Sequence, residues 1–157
     1  DPGSVDLKDN LARAREAAAV KSRLRKLTRT RKAGSLDPKG LCDLGNAYWY
    51  LGRGKVAESF YRRALALDRA YVRAWGNLGS ALVNQGRVRE AIQVYRQALK
   101  ARPDYVEAMV NLGAVYQGLG DRDMALRWVR QALSLKPNDP QALRLLSELT
   151  TVPGTDK

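Results

Sequence analysis

Between residues 38 and 150 the apolar side chains return at three- and four-residue intervals, in segments separated by short polar or glycine-containing breaks. That spacing is the mark of amphipathic helices and not of alternating strands. It predicts helices at about 38–51, 54–67, 72–85, 88–101, 105–119 and 122–135, and a further one at about 140–150. Gly52, Gly86 and Gly120 sit where the first helix of each pair must stop, and glycine tolerates the left-handed backbone such an end requires. Pro103 and Pro137 follow second helices, where proline prevents continuation. Asp37-Pro38 and Asp139-Pro140 both read as an N-cap followed by proline at the first helical position. The last helix carries Leu143, Leu146 and Leu149, expected on one face.

The pattern repeats. Gly45, Gly79 and Gly113 are spaced by 34 residues, as are Leu44, Leu78 and Leu112, and Ala57, Ala91 and Ala125. Ala64, Ala98 and Ala132 keep the same register, with Leu65, Leu99 and Leu133 beside them. A fixed period of this length marks a repeat architecture in which each unit is one helix-turn-helix. The first glycine and the two alanines let paired helices approach closely. Leu44, Tyr48 and Tyr61 fill the space alongside.

These residues resemble the tetratricopeptide repeat family, whose units carry an aromatic, Leu-Gly and Tyr in the first helix, then Ala, Phe or Tyr, Ala and Pro. The middle unit matches best, with Trp75, Leu78, Gly79, Ala91, Tyr95, Ala98 and Pro103. The first unit departs at Leu41 and Arg69, and the third at Met109 and Val129. The resemblance implies an all-α fold, a right-handed α-solenoid of three helix-turn-helix units whose first helices line a concave groove. On this reading 1–37 is a basic helical N-terminal arm; 38–71, 72–105 and 106–139 are the repeats; 140–150 is a capping helix that solvates the open end; and 151–157 is a flexible tail.

The resemblance also says which side chains face the groove. They include Lys39, Asp43, Asn46, Trp49 and Tyr50 from the first repeat. Arg73, Asn77, Ser80 and Asn84 come from the second, and Glu107, Asn111 and Gln117 from the third. Asn77 and Asn111 hold the same position in consecutive repeats, so each amide is placed to bond the backbone of an extended peptide. This is similar to the asparagine ladder of O-linked N-acetylglucosamine transferases, although Asp43 breaks the ladder in the first repeat. The other reading is that these amides tie repeats together or are solvated. The clamp that chaperone-tail receptors close on a C-terminal carboxylate fits poorly. Asn46 and Asn77 match its asparagines, but its basic positions hold Cys42, Glu107 and Asn111. Trp75 fills the family's aromatic slot and is expected in the core, and Trp128 is expected to pack. Trp49 and Tyr50 are either groove anchors or packing for the arm.

Composition removes most chemistry. The chain has no histidine and a single cysteine, Cys42, so it lacks the usual acid–base side chain, the usual metal ligands and any intrachain disulfide. Asp121 and Asp123 fall at a helix start, where a carboxylate interacts well with the helix dipole. No glycine loop for phosphate appears. The expectation is a protein that is not an enzyme and needs no cofactor, metal or small-molecule substrate. No apolar run reaches the ~20 residues of a membrane span. The N-terminus lacks a secretory-signal pattern and an initiator Met, as a processed product or a fragment would. A soluble protein is expected, and its location stays open between cytoplasm and, for a processed chain, periplasm or lumen.

Charge brings in the arm. The net charge is +12, which favours acidic partners. Asp9 to Lys32 reads as one or two helices with a partial apolar stripe of Leu11, Val20, Leu24 and Leu27. Lys21, Arg23, Arg25, Lys26, Arg29, Arg31 and Lys32 follow one another without an intervening acid and cannot share one face. Three uses are open: a helix that packs its leucines on the first repeat, a docking arm for a larger assembly or acidic protein, and contact with nucleic acid or an anionic membrane surface. The sequence therefore points to a scaffold or adaptor that binds a peptide or helix of another protein in its groove, within a larger complex. Its alternatives are an anionic-partner binder acting through the arm, and a permanent accessory subunit of a large assembly.

Overall fold

The structure is a computed structural model that describes residues 37–151, together with 18–22, 25, 26 and 29. Arg23, Arg31 and Lys32 of the basic stretch, Leu11, Leu24 and Leu27 of its apolar stripe, and tail residues 152–157 lie outside the described residues. From residue 37 onward the elements are α1 (Pro38–Tyr50), α2 (Gly54–Leu67), α3 (Val72–Asn84), α4 (Val88–Ala101), α5 (Val106–Gly118), α6 (Arg122–Leu135) and α7 (Pro140–Thr150). No end departs from its expected place by more than one residue. No strand occurs among the described residues, and no described helix is long and apolar enough to cross a membrane. The chain divides into two compact units, Asp1–Ala74 and Trp75–Lys157.

The helix ends explain this agreement. Gly52, Gly86 and Gly120 have φ of 73°, 73° and 76°, a region where a side chain would be strained. Each donates its N–H to the carbonyl three residues back (Trp49, Val83 and Gln117) at 2.9 Å. The next residue in each case, Arg53, Arg87 or Asp121, reaches back to Tyr48, Leu82 or Tyr116, also at 2.9 Å. That pair of bonds is the Schellman closure, which satisfies carbonyls the helix leaves open. At helix starts, Asp37 accepts from the Gly40 N–H at 2.7 Å and Asp121 from the Met124 N–H at 3.0 Å.

In the first unit α1 packs on α2. The ring of Tyr61 lies over Gly45 so closely that a Cβ there would overlap it. Tyr48 stacks on Phe60 with centroids 5.4 Å apart and planes 7° from parallel, and the Arg63 guanidinium lies 5.5 Å from the Phe60 centroid. In the second unit the Tyr95 ring of α4 covers Gly79 of α3 in the same way. Gly113 of α5 is covered differently: a Cβ there would meet Val129 of α6 at 2.8 Å and Leu145 of α7 at 3.2 Å. Ala57, Ala64, Ala91, Ala98, Ala125 and Ala132 are all fully buried, as close packing of each helix pair requires.

Two expectations are corrected. The buried stripe of α7 is Ala142, Leu145 and Leu149, while Leu143 is 46% exposed and Leu146 half-buried. Steps of three residues drift around a helix, whereas 142, 145 and 149 stay on the face that meets α5 and α6. Trp75 is half-buried and not core, in keeping with an indole too large to be enclosed in the first turn of a helix.

Asp139 closes the start of α7. One carboxylate oxygen accepts from the Gln141 and Ala142 N–H groups at 3.1 Å each, and the other accepts from Lys136 Nζ at 2.8 Å. The Lys136 hydrogen bond foremost, then the helix N–H of Ala142, holds the carboxyl below its ordinary range against the opposing effect of burial. A carboxyl depressed in the folded state stabilises fully above its ordinary pKa, and that stability is lost as pH falls through the depressed value.

Two predictions test this packing. Gly79→Leu should cost about 1–3 kcal/mol or more through overpacking against Tyr95; a melt like that of the unsubstituted chain would show the helix register to be wrong. Asp139→Ala should cost about 1 kcal/mol near neutral pH through loss of the cap. In thermal melts, its deficit should shrink as the pH is taken below about 4.

Candidate functional site

The expected groove residues are first of all members of their own hairpins. Tyr61 donates its phenolic O–H to Asn46 Oδ1 at 2.9 Å, and the Tyr95 hydroxyl lies 3.3 Å from Ser80 Oγ. In both hairpins the ring that covers the glycine carries its hydroxyl to the residue just after that glycine. Burial raises both phenols above their ordinary pKa, and in Tyr95 the Ser80 hydrogen bond acts the other way. The third hairpin has no phenol over its glycine, because Val129 covers Gly113, and the position after the glycine is Ala114, which is exposed. Asn46 and Ser80 are thus partners of buried tyrosines before they are available to any ligand.

Cavities lie beside these residues in both units. In the first unit Asp43, Asn46, Ala47 and Tyr50 line a space of about 200 Å³ together with Val20 of the arm. Val20 is half-buried, while Lys21, Arg25, Lys26 and Arg29 are exposed. Tyr50 is 50% exposed and Cys42 is fully buried. The arm therefore sets an apolar side chain against the inner positions of the first repeat and leaves its described cations outward.

Two further cavities lie in the second unit. One, of about 320 Å³, is walled by Val83, Val88, Tyr95, Val115 and Leu119, with Ser80, Asn84 and Asn111 supplying its polar atoms. The other, of about 460 Å³, lies between α5 and α7, with Asn111, Gln117, Gln141, Arg144 and Glu148 around it. Asn111 and Ala114 line both, so α5 forms a ridge between two hollows. Asn84 Nδ2 donates to the Ser80 carbonyl at 3.1 Å, and Gln117 Nε2 to Glu148 at 3.3 Å. Trp49 and Asn77 are half-buried and Arg73 is exposed; none of them lines these three cavities.

Sequence reasoning missed the side chains of α7, which it assigned to capping alone. The signal was present: adding one 34-residue period to 107, 110, 111 and 114 gives Gln141, Arg144, Leu145 and Glu148. Leu145 therefore occupies the next rung after Asn77 and Asn111, and the ladder of amides ends at Asn111. Trp128 on α6 has its indole N–H shielded from solvent without a hydrogen-bond partner among the described residues. Among the described residues no three His, Cys, Asp or Glu side chains converge as metal ligands would.

Comparison with known proteins bears on the fold and on the repeats. No match was found among curated protein sequences. Solved structures do match. The crystal structure of YrrB, described as a TPR protein with an unusual peptide-binding site, superposes with a TM-score of 0.71 at 24% identity. That match covers 81% of this chain and 66% of YrrB, so the chain spans just under two thirds of that protein's length. The crystal structure of MamA gives a TM-score of 0.73 at 24% identity, over 86% of this chain and 79% of that one. The second TPR domain of human RPAP3, in complex with the HSP70 peptide SGPTIEEVD, gives 0.65 at 25% identity, over 73% of this chain and 99% of the domain. Two family models described as tetratricopeptide repeat match residues 42–106 and 85–149, which together take in more than half of the sequence. With its 34-residue period, its glycine-closed hairpins and these matches, the chain belongs to the tetratricopeptide repeat family.

Proposed function

We propose that this protein is a non-catalytic interaction scaffold that holds an extended or helical segment of a partner protein, as an adaptor within a larger assembly. Its working parts are the repeats 38–71, 72–105 and 106–139 and the closing helix α7. The binding face is the one on which Ser80, Asn84, Asn111 and Gln117 stand. The observation that carries this reading is Asn111, a half-buried carboxamide on a ridge with an open hollow on either side. An amide so placed offers both a donor and an acceptor to a peptide backbone. The peptide complex of the RPAP3 domain and the peptide-binding site named for YrrB support the same use of similar folds. In the first unit Val20 already stands against Asp43, Asn46 and Tyr50. A clamp for a C-terminal carboxylate is not part of the reading, since Cys42 is buried and Glu107 carries the wrong sign.

A second reading draws on the outward cations Lys21, Arg25, Lys26 and Arg29, which suit an acidic partner. Salt separates the two, because a contact made of exposed charges weakens once the Debye length falls below their spacing.

The test is capture from native extract with the full chain, washed at low and high salt, beside Asn77→Ala/Asn111→Ala and Lys21→Glu/Arg25→Glu/Arg29→Glu variants. A protein retained at high salt, lost with the asparagines and kept by the charge-reversed arm is the expected result, with helicity unchanged in both variants. Binding that survives the asparagine substitutions and vanishes with the arm charges would move the function to the arm.

A further inference from the structure

The two hollows beside Asn111 differ in chemistry, and the difference specifies a ligand. The hollow of about 320 Å³ has valine and leucine walls, and Leu119 at its edge is 55% exposed, a large apolar surface without cover. Its volume is at the low end for ligand cavities and suits one or two large apolar side chains. Gly118 lines it, and a Cβ built there would meet nothing within 4 Å, so the space is open up to the helix backbone.

The hollow between α5 and α7 is polar, and the charged side chains at it are Arg144 and Glu148. Glu148 uses one oxygen to accept from Gln117 at 3.3 Å and the other to meet Arg144 Nε at 3.3 Å. Both of its oxygens are engaged within the protein. Arg144 is different: its side chain is 83% exposed, and the contact with Glu148 is made through Nε, on the stem side of the guanidinium. A guanidinium carries five N–H donors in a planar fork, so its two amino groups remain to take a carboxylate side-on. Gln141, exposed on the same helix, adds amide donors.

We propose that the face formed by α3, α5 and α7 reads an internal, extended peptide segment in which a large apolar residue stands close to an acidic one. The apolar side chain enters the hollow at Val83, Val88, Val115 and Leu119. The main chain lies along the ridge, bonded by the Asn111 carboxamide. The acidic side chain meets Arg144. Neighbouring side chains of an extended strand point to opposite sides, so a segment lying along the ridge sends one into each hollow. This rests on the peptide-binding reading above and adds the identity of the side chains that are read.

The test is selection from a randomised peptide library, displayed without a free C-terminus, on the full-length protein. The sequences selected are then synthesised with amidated C-termini and measured by fluorescence anisotropy. Enrichment of an apolar residue beside Asp or Glu is expected. Gly118→Leu, which fills the apolar hollow from an open position, should weaken these peptides about tenfold, the scale of losing one buried apolar side chain. Gly118→Ala is the control and should bind nearly as the unsubstituted chain does. Arg144→Glu should reverse the charge preference, selecting Lys or Arg where Asp or Glu stood. Thermal melts of all three variants should match the unsubstituted chain. Peptides that depend on Asn111 but are indifferent to Gly118→Leu and Arg144→Glu would overturn this inference and leave the scaffold reading standing. Selection of no peptide that depends on Asn111 would overturn both.

Discussion

Each hairpin turns on a contact in which one helix gives up its side chain so that one from its partner can lie against its backbone. Tyr61 covers Gly45, Tyr95 covers Gly79, and Val129 with Leu145 covers Gly113. Only glycine leaves room for this, and the fully buried alanines on the second helices complete the close approach. The glycines that end the first helices then turn the chain back within a few residues, through the same two backbone bonds each time. Length of helix, place of the turn and depth of packing all follow from that one approach distance.

The same contact reaches the proposed binding face. A phenol buried without a partner costs about 1–3 kcal/mol, so each tyrosine needs an acceptor or donor within reach of its hydroxyl. Asn46 and Ser80 meet that need from the residue after the glycine, on the side of the first helix where a ligand would lie. The third hairpin replaces the ring with valine, and the polar partner is replaced by Ala114. Low relief at Ala114 is what lets the hollows on either side of α5 share a boundary there, with Asn111 one turn away on the same ridge. Core chemistry in the third repeat thus shapes the surface in front of it.

Most of the fold was legible because its signals are local or periodic. Gly52, Gly86 and Gly120, the Asp-Pro pairs and the 34-residue period each act within a few residues, and the helix ends fell within one residue of expectation. The α7 stripe was misread because Ala142, a small residue, holds the core position expected for its larger neighbour Leu143. The site was less legible for a different reason. Asn46 and Ser80 look like ligand amides or hydroxyls until one sees tyrosines 15 residues further on. Yet the sequence does hold the clue, since Asn, Ser and Ala at one repeat position vary in step with Tyr, Tyr and Val at another. The hollows themselves depend on space between side chains, which no pattern of residue types encodes.

The most direct measurement of where this protein binds is a site-specific photo-cross-link made in its own cells. A photoreactive phenylalanine analogue is placed at Ala114 on the ridge or, as the comparison, at Arg130, exposed on α6. The account predicts a discrete cross-linked partner from position 114 and none from position 130. A partner captured from position 130 alone would contradict it and place the interaction on the second helices.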